Sequence, residues 1–329
     1  MMTASSVLQS ALDPAGPQAA RISHLWWLMF WATTAVFIVV MAFLGWAIVR
    51  GVRLRSREHE ESGALLKANT TRERALMRGV AVAVGATIAI LFVLLVASVS
   101  TGRAVGSLGA SSAVSIVVTG HQWWWQVEYE DQIPSQRVKT ANEIHIPIGR
   151  PVVLKVTSTD VIHSFWVPNL HGKRDLIPGY TTAIWIQADR PGVYRGQCAE
   201  FCGYQHAHMA FYVTAETDDE FQRWLAAERQ PSATPTGDLE RHGRDVFLAS
   251  TCAQCHAIRG TIAGATLGPE LTHVASRGTI GAGTLPNSRG HLAGWVVDSQ
   301  SIKPGNRMPP NGIGGDDLQA LLAYLETLK

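Results

Sequence analysis

Two stretches without a single charged residue, 25–49 and 79–102, decide most of what this chain can fold into. At a rise of about 1.5 Å per residue, each makes a helix able to cross the roughly 30 Å hydrocarbon core of a bilayer. Arginines bound both runs: Arg21 and Arg50 flank the first, Arg78 and Arg103 the second. A cleaved signal peptide has an apolar region of about 7–15 residues, and the first run is longer than that and begins late. The segment joining the runs holds Arg50, Arg53, Arg55, Arg57, Lys67, Arg72, Arg74 and Arg78, whereas only Arg21 precedes the first. Positive charge stays on the cytoplasmic side, so this loop is expected inside and both termini outside. Residues 1–102 are thus expected to form an N-terminal segment and a two-helix transmembrane hairpin in the lipid bilayer. Residues 103–329 would then face the periplasmic or outer side of a bacterial inner membrane.

Beyond the second run the periodicity changes. Short β-branched and aromatic runs occur at 113–118, 127–129, 143–148, 152–157, 182–186, 193–197 and 211–214, punctuated by glycine and proline. Several short strands at this spacing predict a β-sandwich or barrel. Thr217 followed by Glu220 forms a capping box that opens a helix over 217–229, closing a domain that spans 103–229. A polar, proline-bearing linker, 230–238, separates it from a last domain, 239–329. The formal net charge of +2 is too small to point to a nucleic acid partner.

The chain has four cysteines in two tight pairs, Cys198 with Cys202 and Cys252 with Cys255, a pattern of cofactor attachment rather than of scattered disulfides. The first pair lies in Cys198-Ala-Glu-Phe-Cys202-Gly-Tyr-Gln-His206-Ala-His208-Met209. Two thiolates, an imidazole and a thioether are the soft set that suits copper cycling between Cu(I) and Cu(II). Two thiolates can each bridge a metal pair, and a binuclear site then needs one terminal histidine per copper. His206 supplies one; His163 is the favoured second, with His145, His171 and His208 as alternatives. A Cys198–Cys202 disulfide would leave the spacing of His206 and Met209 unexplained.

In the last domain, Cys252-Ala-Gln-Cys255-His256 is the CxxCH signature of covalent haem c attachment. Two thiols must reach two vinyl groups on one porphyrin edge, and the adjacent histidine must turn under the ring to bind iron. Met308 is the one methionine after residue 230, and a His/Met pair raises the haem potential as a donor to copper requires. His242, His273 and His291 are its rivals. A first helix over 237–250 delivers the CxxCH, and a last helix with Asp316 as N-cap aligns Leu318, Leu321, Leu322, Leu325 and Leu328. With eight Lys/Arg and seven Asp/Glu over 239–329, charge makes no docking prediction.

Over residues 20–229 the chain resembles the copper-A subunit, subunit II, of cytochrome oxidase. The likeness is carried by Asp160-Val161-Ile162-His163-Ser164, by Lys173-Arg174-Asp175-Leu176-Ile177-Pro178-Gly179, by Cys198 to Met209 and by Gly120-His121-Gln122-Trp123-Trp124-Trp125. Beyond it, Met308-Pro309-Pro310 and Gly268-Pro269 resemble the methionine and proline loops of small all-α cytochromes c. The resemblance implies a cupredoxin domain in which Cys198 and Cys202 bridge two coppers, with His163 and His206 as terminal ligands. Met209 would be the weak ligand on one copper and the Glu200 carbonyl a ligand on the other. It further implies a magnesium ion on the Glu200 carboxylate at the interface with subunit I, and Trp123 as the surface aromatic through which electrons reach copper. The acidic run Glu128, Glu130 and Asp131 reads as a solvated turn, although the family docks cytochrome c with carboxylates nearby. Asn69-Thr70-Thr71-Arg72-Glu73 resembles the family's segment carrying a glutamate at the mouth of a proton path, but Arg74-Ala75-Leu76-Met77-Arg78 departs from it, leaving Glu73 equally readable as a surface ion-pair residue.

The implied function is electron input to a respiratory oxidase that reduces oxygen to water and moves protons. Its catalytic site would lie in subunit I, with subunit III alongside and an external cytochrome c or other donor. A copper-A nitric oxide reductase subunit and a free-standing membrane-anchored redox carrier are the alternatives. A quinol-oxidising relative is disfavoured, because that branch lacks the copper ligands.

Overall fold

The protein is described by a computed structural model covering residues 7–55, 70–106 and 114–329. Arg57, Lys67 and Asn69 of the expected inner loop, and Ala113 at the expected start of a strand, lie outside the described residues. The chain divides into two compact units, one of residues 21–107 and one of 1–20 with 108–329.

The apolar runs form α1 (Pro17–Arg55) and α2 (Thr70–Gly106), both long and apolar enough to cross a membrane. At about 1.5 Å per residue they outrun the bilayer core at both ends. Their apolar side chains point outward, Phe37, Phe43 and Phe92 among them, as suits a lipid-facing surface. Trp26, Trp27, Phe30 and Trp31 stack on one another near one end of the apolar run, and Trp46 with Arg50 over its ring marks the other. Aromatics belong at the two membrane–water interfaces, where an amphipathic ring meets both phases. Arg21 donates to the Ala104 carbonyl at 2.6 Å, tying the two helices together where their charged ends meet.

The second unit contains a β-sandwich. One sheet has the order β3 (Val138–Ala141), β2 (Trp124–Tyr129), β1 (Val114–His121), β5 (Val152–Ser158), β8 (Thr182–Ile186). The other runs β4 (Glu143–Pro147), β10 (Ala210–Glu216), β9 (Gly192–Cys198), β6 (His163–Trp166), β7 (Arg174–Leu176). Pairing is antiparallel except for β1 with β5 and β10 with β4. Alternation of buried and half-buried residues along β1, β5 and β9 follows from the two-residue side-chain period. Ile116, Val118, Leu154 and Val156 meet Ile144, Phe165, Tyr194 and Phe211 in the core, with Trp125 between them. Burial of each such side chain contributes about 1.5–3 kcal/mol. The sequence runs missed β3, β6 and β7, because β6 opens on His163-Ser164 and β7 is Arg174-Asp175-Leu176, neither an apolar alternation.

A correction concerns residues 7–20, expected to belong with the hairpin. They pack on the sandwich instead. Leu8 bridges Tyr194, hydrogen-bonding Val193 and Arg195; Asn169 holds Ser10 and Asp13; and Asp13 pairs with Arg190. The capping box at Thr217 and Glu220 forms as expected and opens α3 (Asp218–Glu228). The expected linker is fastened down: Ser232 bonds the Arg259 carbonyl, Gln230 accepts from His273, and Arg259 reaches the Glu228 carbonyl.

The last domain is helical: α4 (Asp238–Ala249), α5 (Cys252–Cys255), α6 (Arg289–Val297), α7 (Ser299–Ile302) and α8 (Gly315–Thr327), with a two-stranded ribbon β11 (Thr279–Ile280) and β12 (Leu285–Pro286). Phe247 of α4 packs on Tyr324 of α8 over a core that includes Leu321, Leu322, Leu325 and Leu328. The N-cap of α8 is Gly314, two residues earlier than expected. Asp316 and Asp317 instead occupy the first turn, where negative charge favours the helix N-terminus.

Candidate metal centre

Strand β9 ends on Cys198, and the loop that follows folds Cys202, His206 and Met209 back over it before β10 departs. The two thiols are free, with sulfurs 3.7 Å apart. His163 Nδ1 lies 3.9 Å from Cys198 Sγ, His206 Nδ1 lies 3.6 Å from Cys202 Sγ, and Met209 Sδ lies 3.9 Å from Cys202 Sγ. The Glu200 carbonyl oxygen is 3.1 Å from Cys198 Sγ. Five donors of the soft-to-borderline kind, three sulfurs and two imidazole Nδ1 atoms, therefore gather around the cysteine pair together with the harder Glu200 carbonyl oxygen. Such a set fits a copper pair bridged by sulfur.

His163 reaches the site from β6, across the ladder from Cys198, so the non-local ligand is set by strand pairing. Its Nε2 is 2.9 Å from Asp160 Oδ1, leaving Nδ1 for the metal. Burial pulls His163 toward the neutral form, but the Asp160 and Cys198 partners outweigh it and raise its pKa. Burial likewise opposes the Asp160 charge; hydrogen bonds from His163 and from the Gln122 and Val161 N–H groups win, lowering Asp160 to about 2. The sulfur-to-sulfur contact is the main cause that holds Cys198 well below the usual thiol range and pushes Cys202 up. The alternative histidines lie elsewhere: His145 stacks on Trp224 and bonds Glu216, His171 is held neutral by burial near Gly172, and His208 bonds Gln205.

Cys252, Cys255, His256 and Met308 line one cavity of about 300 Å³. His256 Nδ1 is 2.7 Å from the Pro269 carbonyl, so Nε2 is the nitrogen free to bind iron. Burial lowers the pKa of His256, which keeps the ring a neutral ligand. Among the described residues lining the cavity, His256 is the one histidine; His242 pairs with Asp317, His273 bonds two backbone carbonyls and His291 meets Ser288. A largely apolar cavity lined by two thiols, one imidazole and a thioether fits a haem. A Cβ on Gly268 would come within 2.6 Å of the His256 ring. Gly268→Ala is therefore expected to lower stability by about 1–3 kcal/mol through overpacking and to weaken the iron–histidine bond. Thermal unfolding and the haem absorption spectrum check this; no change in either would mean that the ring has room to yield.

Trp123 stands between the two sites. Its Nε1 donates to the Cys202 carbonyl at 2.9 Å while its ring lines the haem cavity. Expected at the surface, it is only 8 % exposed, because Gly305 and Lys303 of the haem domain lie against it. Trp124 stacks on His121, and Trp125 is the core member of the triplet. The Glu200 carboxylate is half-exposed and pairs with Lys173 at 3.0 Å. Glu128, Glu130 and Asp131 are neutralised by Arg137, Lys139, Lys155 and Arg229. Glu73 sits exposed in the first turn of α2. Residue patterns did not point to Asp160, Arg307 or Lys303; the placing of Asp160 before His163 was the one available signal.

Residues 132–216 match the family described as cytochrome c oxidase subunit II, periplasmic domain, and residues 241–329 match cytochrome c. A cytochrome c oxidase subunit 2 of Alkalihalophilus pseudofirmus is 36% identical, covering 97% of this chain and 91% of that protein. The corresponding Bacillus subtilis protein is 29% identical over 67% of this chain and 64% of its own length. A quinol oxidase subunit 2 of Bacillus cereus is 35% identical over 38% of this chain and 42% of its own. Among solved structures, the periplasmic domain of the Bradyrhizobium japonicum oxidase subunit II is 29% identical, covers 37% of this chain and 97% of that chain, and superposes with a TM-score of 0.35.

Proposed function

Because the chain belongs to the cytochrome c oxidase subunit 2 family, we propose that it is the electron-input subunit of a respiratory haem–copper oxidase, working beside subunit I and subunit III in the inner membrane. Copper and covalent haem c, once bound, would supply one-electron redox chemistry, and the chain would pass electrons from an external cytochrome c or similar donor to a catalytic subunit that reduces oxygen to water and translocates protons. The observation that carries this reading is one side chain: Trp123 lines the haem cavity and hydrogen-bonds the carbonyl of Cys202.

Each residue then has its task. Cys198, Cys202, His163, His206, Met209 and the Glu200 carbonyl would hold the copper pair, the two thiolates being shared between the metals. Asp160 fixes the His163 ring so that Nδ1 faces metal. Cys252 and Cys255 would tether the haem, His256 and Met308 would ligate its iron, and the Pro269 carbonyl orients His256. The Glu200 carboxylate, half-exposed and paired with Lys173, would be the magnesium ligand at the interface with subunit I. Glu73, in the first turn of α2, stands at the mouth of a proton path on the inner side.

Purification of the complex in mild detergent tests the assignment. Two coppers and one haem c per chain, with cyanide-sensitive oxygen uptake by a co-purifying partner, are expected. Nitric oxide turnover, or a lone chain without partner, would replace this reading with another. Trp123→Phe keeps an aromatic ring but loses the indole N–H, and it is expected to slow reduction of copper from the haem domain about tenfold or more, the scale on which small misplacements cost rate. Flash-initiated reduction followed at the copper band measures it; an unaltered rate would remove Trp123 from the path.

A further inference from the structure

Lys303 lies in the haem domain, between α7 and the Met308 loop, with only 2% of its surface exposed. Among the described residues its ammonium meets no carboxylate. It donates instead to three carbonyls, those of Trp123 at 2.8 Å, His208 at 2.7 Å and Gly281 at 2.8 Å. The first two belong to the β-sandwich and the third to the haem domain. Burial draws the lysine down to about 7, yet three acceptors at these distances call for three N–H donors. An ammonium has three and a neutral amine two, so the charged form is the one that satisfies the site. A buried, carbonyl-caged ammonium is costly to place and costly to remove, because its loss strands the acceptors.

The same short stretch makes further crossings. Gln205 donates to the Pro304 carbonyl at 2.8 Å, and Arg307 lies 3.5 Å from Asp160, the residue that orients His163. Around them, Ala210 N–H donates to the Ala282 carbonyl at 3.0 Å, and Gly278 N–H donates to Glu143 at 2.8 Å. Residues 303–308 thus both grip the copper domain and end on the thioether that faces the haem cavity.

We propose that Lys303 is a positioning residue that locks the haem domain in one register on the copper domain, holding Trp123 between the haem cavity and the Cys202 carbonyl. This rests on the electron-input reading above and adds that the tethered haem domain is fixed rather than swinging. A swinging tether would raise effective concentration but leave each transfer waiting on domain diffusion. A fixed register removes that wait.

Two measurements on the holo complex test it. In the unaltered protein, transfer from haem to copper after photochemical injection is expected to be independent of glycerol viscosity. In Lys303→Met, with copper and haem contents retained, it is expected to slow about ten- to hundredfold and to become viscosity-dependent. Hydrogen exchange at Ala210 and Gly278, read by mass spectrometry of the peptides bearing them, is expected to accelerate in the variant. Viscosity-dependent transfer in the unaltered protein would overturn the proposal, whether or not the variant assembles. So would Lys303→Met with unchanged exchange and unchanged rate. Absence of copper or haem from the purified complex would instead sink the underlying electron-input reading.

Discussion

Cys198→Ser is expected to abolish the delocalised mixed-valence signal of the copper pair in paramagnetic resonance. Cys202→Ser should do the same. Each sulfur is asked to contact both metals, so losing either breaks two bonds. A serine hydroxyl is a hard, weakly acidic donor that does not replace a thiolate toward Cu(I). The geometry argues the same way: the 3.7 Å sulfur pair is flanked on opposite sides by His163 at Cys198 and by His206 and Met209 at Cys202. Removing one sulfur leaves at most a mononuclear set on the other side. Affinity for the pair should fall by well over about tenfold, a loss that even partners behind the ligands can produce. Both cysteines sit in a packed core, and serine is nearly isosteric, so the sandwich itself should survive. Metal content and the resonance spectrum, read beside circular dichroism of the same sample, decide the matter. A folded variant that keeps its copper pair would refute the bridging assignment.

How much of this was legible in the sequence depended on separation along the chain. Cys198, Cys202, His206 and Met209 lie within one turn-and-strand segment, so their spacing reported their chemistry directly. His163 is distant, yet it could be favoured because it falls between two β-type runs, 152–157 and 182–186, where a second strand can bring a ligand to the cysteines. Cys252, Cys255 and His256 are contiguous, and Met308 was found by counting methionines. The uncharged runs announced α1 and α2 through length alone. Strands β6 and β7 stayed hidden because β6 answers to the site and to its pairing with β9, and β7 to its pairing with β6, not to a buried-and-exposed alternation.

The contact between domains was not legible at all. A lysine ordinarily marks solvent, and nothing around Lys303 in the chain hints that three backbone carbonyls will enclose it. Residues 7–20 are short and without periodicity, and they are held by backbone pairing to Leu170, Val193 and Arg195, which no side-chain pattern encodes. Trp123 illustrates both sides. The two-residue period of β2 separates Trp124 from Trp125, whereas Trp123 lies in the turn between β1 and β2, and only the presence of the haem domain turns its expected surface ring into a buried one.

Met308→Ala is expected to lower the haem potential while the haem stays covalently attached. A thioether favours ferrous iron, and its loss leaves water or an empty position opposite His256; a drop of ~0.1–0.3 V lies well within the ~0.8 V that axial ligands command. At about 59 mV per factor of ten for one electron, that displaces the equilibrium against copper reduction by roughly two to five orders of magnitude. The loop should keep its shape. Met308 N–H donates to Asn306 Oδ1 at 2.8 Å, and its carbonyl accepts from Ser299 Oγ at 2.8 Å and Gln300 Nε2 at 2.7 Å, so the backbone is held without the side chain. A rival ligand would have to come from His242, His273 or His291, and each is engaged away from the cavity. Titrating the haem potential in the variant, with loss of the near-infrared sulfur–iron band as companion signal, gives the answer. A potential that does not move would assign the sixth position to one of those histidines and require the 303–308 loop to rearrange when haem binds.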